Sequence, residues 1–218
     1  MKIDILTLFP DMFKGPFDAS IVKRAESKDL VQIQVHDLRK WGDTPRRHVD
    51  DRPYGGGVGM ILRVDIIDNA LNEINSGFTG KKKNSKVILL DATGDRYTQA
   101  KAQELSKTGH LILIAGHYEG VDHRVHEHLV DEVISIGDYV LTGGEIPAMV
   151  LVDSVIRLIP GVLGKDESSA IESHKEPGYL EYPQYTRPEV YRNWKVPKLL
   201  LSGNHREIEK WRSGKTGR

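Results

Sequence analysis

The stretch ISIGDYVLTGGEIPAMV, residues 134–150, runs from apolar residues through Gly143 and Gly144 into a helix that opens with Glu145. A strand, a glycine turn and a helix N-terminus in that order can hold a phosphate, because free main-chain N–H groups and the helix dipole both favour an anion there. The stricter signatures are missing. YGGGVGM (54–60) has no Lys-Ser or Lys-Thr to complete a P-loop, and neither it nor LTGGE keeps the Gly-x-Gly-x-x-Gly spacing of a dinucleotide site. Glu145 also puts a carboxylate where an anion would sit, so the turn suits a neutral or cationic ligand held by main-chain groups. A second reading needs no ligand: a glycine turn in which Glu145 caps its own helix.

Other reactive side chains are sparse. The chain has no cysteine, which excludes a thiol nucleophile, a thiolate metal site and a disulfide framework. His123, His126 and His128 do not fall on one helix face, so no metal site is expected. Asp153 and Arg157 stand one turn apart, which on spacing alone is an i,i+4 ion pair.

The elements that must position these residues alternate in type. KIDILTLF, VQIQVHDL, KVILLDA, HLILIAG and EVISIG read as strands, and FDASIVKRAES, VDIIDNALNEI, TQAKAQELSK and HRVHEHLV as the helices between them. Near-continuous apolar strands alternating with helices predict an α/β fold with a mostly parallel sheet covered on both faces, over residues 1–160. The polar stretch SGFTGKKKNS reads as a loop. The helix IPAMVLVDSVIRLIP is apolar on nearly every side, which needs more cover than one sheet face and points to a subunit interface. Residues 161–185 carry no sustained period and read as an interdomain loop. Residues 186–218 form a small basic helical module centred on NHREIEKWRSG.

DATGD, AGHYEG and IGDYVLTGG follow three of the strands. In an open α/β sheet the crevice outside the carboxyl ends of strands holds ligands, so these loops could enclose a flat, largely uncharged group such as an adenosine. Net charge is zero but uneven: residues 186–218 hold nine Lys and Arg against three Glu, a net of +6, and the remaining residues carry −6. A basic end on an acidic body suggests a polyanion held at that end. No leader or membrane-spanning stretch stands out, and a cytoplasmic protein is expected.

Seven motifs, in chain order VDDRPYGGGVGM, AGHYEGVD, IGDYVLTGGEIPAM, PGVLG, LEYPQYTRP, LLSGNH and EIEKWR, closely resemble the bacterial tRNA (guanine-N1)-methyltransferases that modify position 37. The resemblance runs from LTLFPDMF near the start to EKWR near the end. It implies a SPOUT-class fold whose C-terminal part is tied in a deep trefoil knot, and an obligate homodimer. It also implies S-adenosylmethionine as methyl donor, with tRNA as partner and neither DNA nor a membrane. Gly116, Ile136, Gly137, Asp138, Tyr139, Val140 and Leu141 would line the donor, with Glu119 near its methionine end. Gly143 and Gly144 would allow close chain approach in the knot.

The same resemblance assigns Arg157 to the charge that develops on guanine O6. The family's loop after PGVLG commonly carries Asp-Ser, the Asp being the base. Here Glu172 precedes Ser173 and is expected to take that role, with Asp166 and Glu167 in reserve. His117 stands where the family commonly has Arg, and with Arg46, Arg47, Arg52 and Arg187 it is an expected RNA contact. Tyr182, Tyr185 and Trp194 are candidates for stacking on unpaired bases or for packing. The chain closes soon after Trp211, so the basic module reads as a trimmed bundle. No metal is needed for an already activated methyl, although Mg²⁺ could assist near the carboxylate or the RNA. Two rivals stay open: a ribose 2′-O-methyltransferase of the same fold, and a non-catalytic RNA- or adenosine-binding relative.

Overall fold

The computed structural model describes residues 1–43, 45–76, 84–163, 173–174 and 178–215. Most of the SGFTGKKKNS loop, the reserve carboxylates Asp166 and Glu167, and Glu172 lie outside them. The chain forms two compact units, Met1–Gly164 and Lys165–Arg218.

The first unit is built on a five-stranded parallel sheet. Its strands are β1 (Lys2–Thr7), β2 (Gln32–Asp37), β5 (Ser85–Arg96), β6 (His110–Ala115) and β7 (Glu132–Ser135), in the order β2-β1-β6-β5-β7. Between them run α1 (Ser20–Ser27), α2 (Val64–Ser76), α3 (Gln99–Leu105) and α4 (His123–His128), and α5 (Glu145–Ile156) follows β7. A short antiparallel pair, β3 (Asp50–Asp51) with β4 (Ile61–Leu62), brackets the YGGGVGM loop.

The period-two alternation of strand side chains divides the core into two layers. Ile3, Ile5, Ile88, Leu90, Leu111 and Leu113 pack with Val22 and Ala25 of α1, Leu105 of α3, and Ala148, Leu151, Val152, Val155 and Ile156 of α5. Leu6, Leu89, Ile112 and Ile114 pack with Ile66, Ile67, Ala70, Leu71 and Ile74 of α2 and Val125 of α4. All six residues of the central strand β6 are buried, as a strand covered on both faces must be. Even so, α5 leaves Ile146 and Val150, one turn apart, exposed.

One buried polar cluster interrupts the second layer. Asp4, fully buried on β1, accepts hydrogen bonds from Nε2 of His110 and of His36 at 2.6 Å each, and Lys2 Nζ lies 2.9 Å away. Burial pushes the Asp4 carboxyl up, but the bonds from His110, His36 and Lys2 outweigh it and hold the group well below the usual carboxylate range.

The second unit contains a hairpin, β8 (Val190–Tyr191) with β9 (Trp194–Lys195), a 3₁₀ turn at Lys198–Leu201, and α6 (His205–Ser213). The Asn204 side chain accepts from Glu207 N and caps α6, as NHREIEKWRSG predicts. None of the described side chains of this unit is fully buried.

Candidate active site

The carboxyl ends of β5, β6 and β7 open into a cavity of about 280 Å³. Its walls are three loops: Asp91–Thr93 from β5, Gly116–Gly120 after β6, and much of Ile136–Gly144 after β7. These are the DATGD, AGHYEG and IGDYVLTGG loops, brought side by side because β6, β5 and β7 are neighbours in the sheet.

Main-chain contacts of unusual closeness shape the walls. Gly144 N donates to Gly116 O at 2.8 Å, and a Cβ on Gly144 would lie 2.6 Å from Ala115 Cα, so any side chain here collides with backbone. On the opposite wall the β5–β7 register slips between Leu90 and Asp95, and both residues pair with Ile134. The chain between them bulges into the cavity rim, and a Cβ on Gly94 would meet Ile134 N at 2.5 Å. Ser135 Oγ donates to Gly137 O at 2.9 Å and accepts from Gly137 N at 3.3 Å, which pins the start of the third loop.

Glu145 does not face the cavity as a helix-terminal carboxylate. It is buried, and its Oε1 accepts from Thr7 Oγ1 at 2.7 Å, while Thr7 Oγ1 accepts from Phe9 N at 2.9 Å. Nor does it cap α5: the N-cap is Gly144, with no side-chain cap bond. Glu145 ties the start of α5 to the end of β1, and the turn above it is left to main-chain groups.

The expected site residues divide clearly. Gly116, Glu119, Ile136, Gly137, Tyr139, Val140, Leu141, Gly143 and Gly144 all line the cavity, and so does His117. Asp138 does not line it, and its carboxylate faces Arg96 at 3.0 Å. Glu119 stands at the rim, its N–H donating to Met60 O at 3.1 Å, which joins the YGGGVGM loop to the site. His117 packs against Phe9 and Tyr118, with ring centroids 4.7 and 5.0 Å away, and its buried Nδ1 has no hydrogen-bond partner.

Arg157 follows the last turn of α5, at the end opposite Gly144, with its N–H donating to Asp153 O at 3.4 Å. Twelve helical residues span about 18 Å, so within one chain Arg157 stands far from the cavity. Arg46, Arg47 and Arg52 are exposed before and after β3, in a loop held at its base by Arg63. The Arg63 guanidinium bonds the Asp65 and Asp43 carboxylates, which raises its own pKa and lowers that of Asp65. Arg187 is exposed in the second unit.

Some lining residues carried no signal of their own in the sequence. Ser135, Thr142 and Pro147 reach the cavity. Only Ser135, a polar residue inside the apolar run EVISIG, could have been singled out.

A family model described as tRNA (Guanine-1)-methyltransferase TrmD matches residues 1–218. The chain belongs to the TrmD family. Relatives named tRNA (guanine-N(1)-)-methyltransferase include that of Anoxybacillus flavithermus, 54% identical over 212 residues, covering 97% of this chain and 85% of the relative. The protein of Dictyoglomus turgidum is 55% identical over 212 residues, covering 97% and 83%. That of Bacillus subtilis is 52% identical over 213 residues, covering 98% and 86%. Within the TrmD family, the match takes in the three cavity loops and the basic second unit alike. Among the described residues no helix is long and apolar enough to cross a membrane.

Proposed function

We propose that this TrmD-family chain transfers the methyl group of S-adenosylmethionine to N1 of guanosine 37 in tRNA. The observation that carries the reading is the cavity at the ends of β5, β6 and β7, walled by the loops that hold the family resemblance. Its fit to an adenosine-bearing donor rests on this chain's own geometry. Gly143 and Gly144 pack so closely on Glu145, His117 and Ala115 that they present the cavity with main chain alone, and His117 offers a buried nitrogen that no described protein group satisfies. When bound, the donor supplies a methyl already activated as a sulfonium.

The chain's residues do the rest. Ile136, Tyr139, Val140 and Leu141 hold the donor through apolar and main-chain contacts, and Glu119 lies at its charged end. N1 of guanine is not acidic at neutral pH, so its proton must pass to a base as the N1–methyl bond forms and the sulfur–methyl bond breaks. Glu172 accepts that proton. Arg157 donates to O6 as negative charge grows there. Because Arg157 is about 18 Å along α5 from Gly144, a second copy of the chain brings its Arg157 to this cavity. The exposed Ile146 and Val150 on the same helix are suited to that homodimer contact. The close passage of residues 143–144 over the end of β6 fits a C-terminal trefoil knot. Mg²⁺ has no required step, and its place would be near the Glu172 carboxylate or the RNA.

The test incubates the protein with labelled S-adenosylmethionine and tRNA transcripts carrying guanosine or adenosine at position 37. Label on N1 of guanosine alone is the expected result. Label on a ribose would support the 2′-O-methyl rival, and binding of both ligands without label would support the non-catalytic one.

A further inference from the structure

The β8–β9 hairpin of the second unit holds an aromatic pair that its surroundings leave uncovered. Tyr191 and Trp194 face each other directly across the hairpin, with ring centroids 5.8 Å apart. They are 54% and 67% exposed, although large aromatic rings are normally buried where a core is available. At the tip, Arg192 holds a φ of +55°, a left-handed conformation that favours glycine or asparagine. That geometry sets its guanidinium 5.5 Å from the Tyr191 ring centre and 5.7 Å from that of Trp194. The positive φ follows from the two-residue hairpin turn, whose first position requires it, and the turn leaves the Arg192 charge beside two exposed rings.

The other aromatics of the unit are engaged from within. Tyr182 lies under the Arg212 guanidinium at 4.8 Å, and Tyr185 is 6.4 Å from Trp211 of α6. Tyr185 is half exposed as well, but Trp194 of the hairpin is the most exposed of these rings. Its neighbours are cationic: Arg187, Arg192, Lys195 and Lys198 stand against the single acid Glu189 in residues 186–198.

Rings with open faces, a planar guanidinium and surrounding cations suit one partner chemistry, an unpaired nucleotide. The base stacks on the ring while the phosphates meet the cations. We propose that the Tyr191–Arg192–Trp194 hairpin is a stacking platform for an unpaired base of the tRNA substrate, with Trp194 as its principal face. This rests on the methyltransferase reading for the identity of the RNA. The platform binds and positions RNA and takes no part in the chemical step.

The test measures both tRNA binding and methylation for the full chain and for Trp194→Ala, Trp194→Phe and Arg192→Ala. Trp194→Ala should weaken tRNA affinity about ten- to a hundredfold, the range of a lost base–aromatic stack. It should raise KM for tRNA in proportion and leave kcat and donor affinity unchanged. Trp194→Phe should recover most of the loss. The salt slope of binding should be unaltered in Trp194→Ala and shallower by about 0.7 in Arg192→Ala, since only the second removes a phosphate-neutralising charge. A folded Trp194→Ala protein that binds tRNA as the wild type does would overturn the platform. So would a change in oligomer mass with tRNA affinity intact, because the patch would then be a protein contact. A wild type that binds tRNA without methylating it leaves the binding comparison decisive for the platform and removes the functional reading alone.

Discussion

At the scale of single residues, two side chains carry separable tasks. Glu172 is the assigned base, and Glu172→Gln keeps its size and polarity while removing its capacity to accept the N1 proton. A kcat loss of about a hundredfold or more, with donor affinity intact, is expected from single-turnover methylation and calorimetric titration. Unchanged turnover would strike Glu172 from that role. Asp4 belongs to folding instead. Its folded pKa is depressed, so its contribution is fully present above the unfolded carboxyl value, near 4, and is lost as pH falls through the folded one. Asp4→Asn should therefore cost about 3 kcal/mol at neutral pH and reduce the dependence of stability on acid, read from denaturant melts between neutral pH and about pH 2. Loss of the acid limb without loss of neutral stability would mean that His110 and His36 are satisfied by other groups.

At the scale of elements, the decisive features are two places where one chain segment passes over another without room for a side chain. The Gly144 crossing joins the start of α5 to the end of β6, and the Gly94 crossing seats the β5 bulge on β7. Both obstacles are backbone, which cannot swing aside as a side chain can. Gly144→Ala should cost about 3 kcal/mol, an overpacking penalty at the upper end of the ordinary range. That corresponds to a fall in Tm of roughly 6–12 °C by scanning calorimetry, with donor affinity falling as well. A variant with wild-type Tm and affinity would show that the two segments separate in solution. The Gly94 crossing was not legible in the sequence, and a close approach at Gly144 was expected only through the family resemblance. LTGGE announced a glycine turn, yet nothing local in it names Ala115 as the neighbour.

At the scale of the whole molecule, the separation of Arg157 from the cavity makes a prediction about assembly. Arg157→Ala and Leu141→Arg each disable a different part of the site, the second by placing a charge on the cavity wall. Co-expressed chains should form mixed dimers in which one site has both parts intact. On the order of a quarter of wild-type activity should return, against near zero for either variant alone. No recovery would place Arg157 in the site of its own chain.

The sequence by itself determined the alternation of strands and helices, the glycine loops at the strand ends and the basic second unit. Each of these follows from residue type and spacing within a few residues, which is the range over which side-chain periodicity and turn chemistry act. The motifs carried the family and, through it, the residues expected at the donor. Only the tertiary structure decided that Glu145 turns inward to Thr7, that Asp138 faces Arg96 away from the cavity, and that Trp194 is left more open than Tyr185. Glu145 and Thr7 are 138 positions apart in sequence. Which partner a buried carboxylate or an aromatic ring finds depends on what the folded sheet and helices bring within a few ångströms of it. Spacing along the chain does not contain that distance.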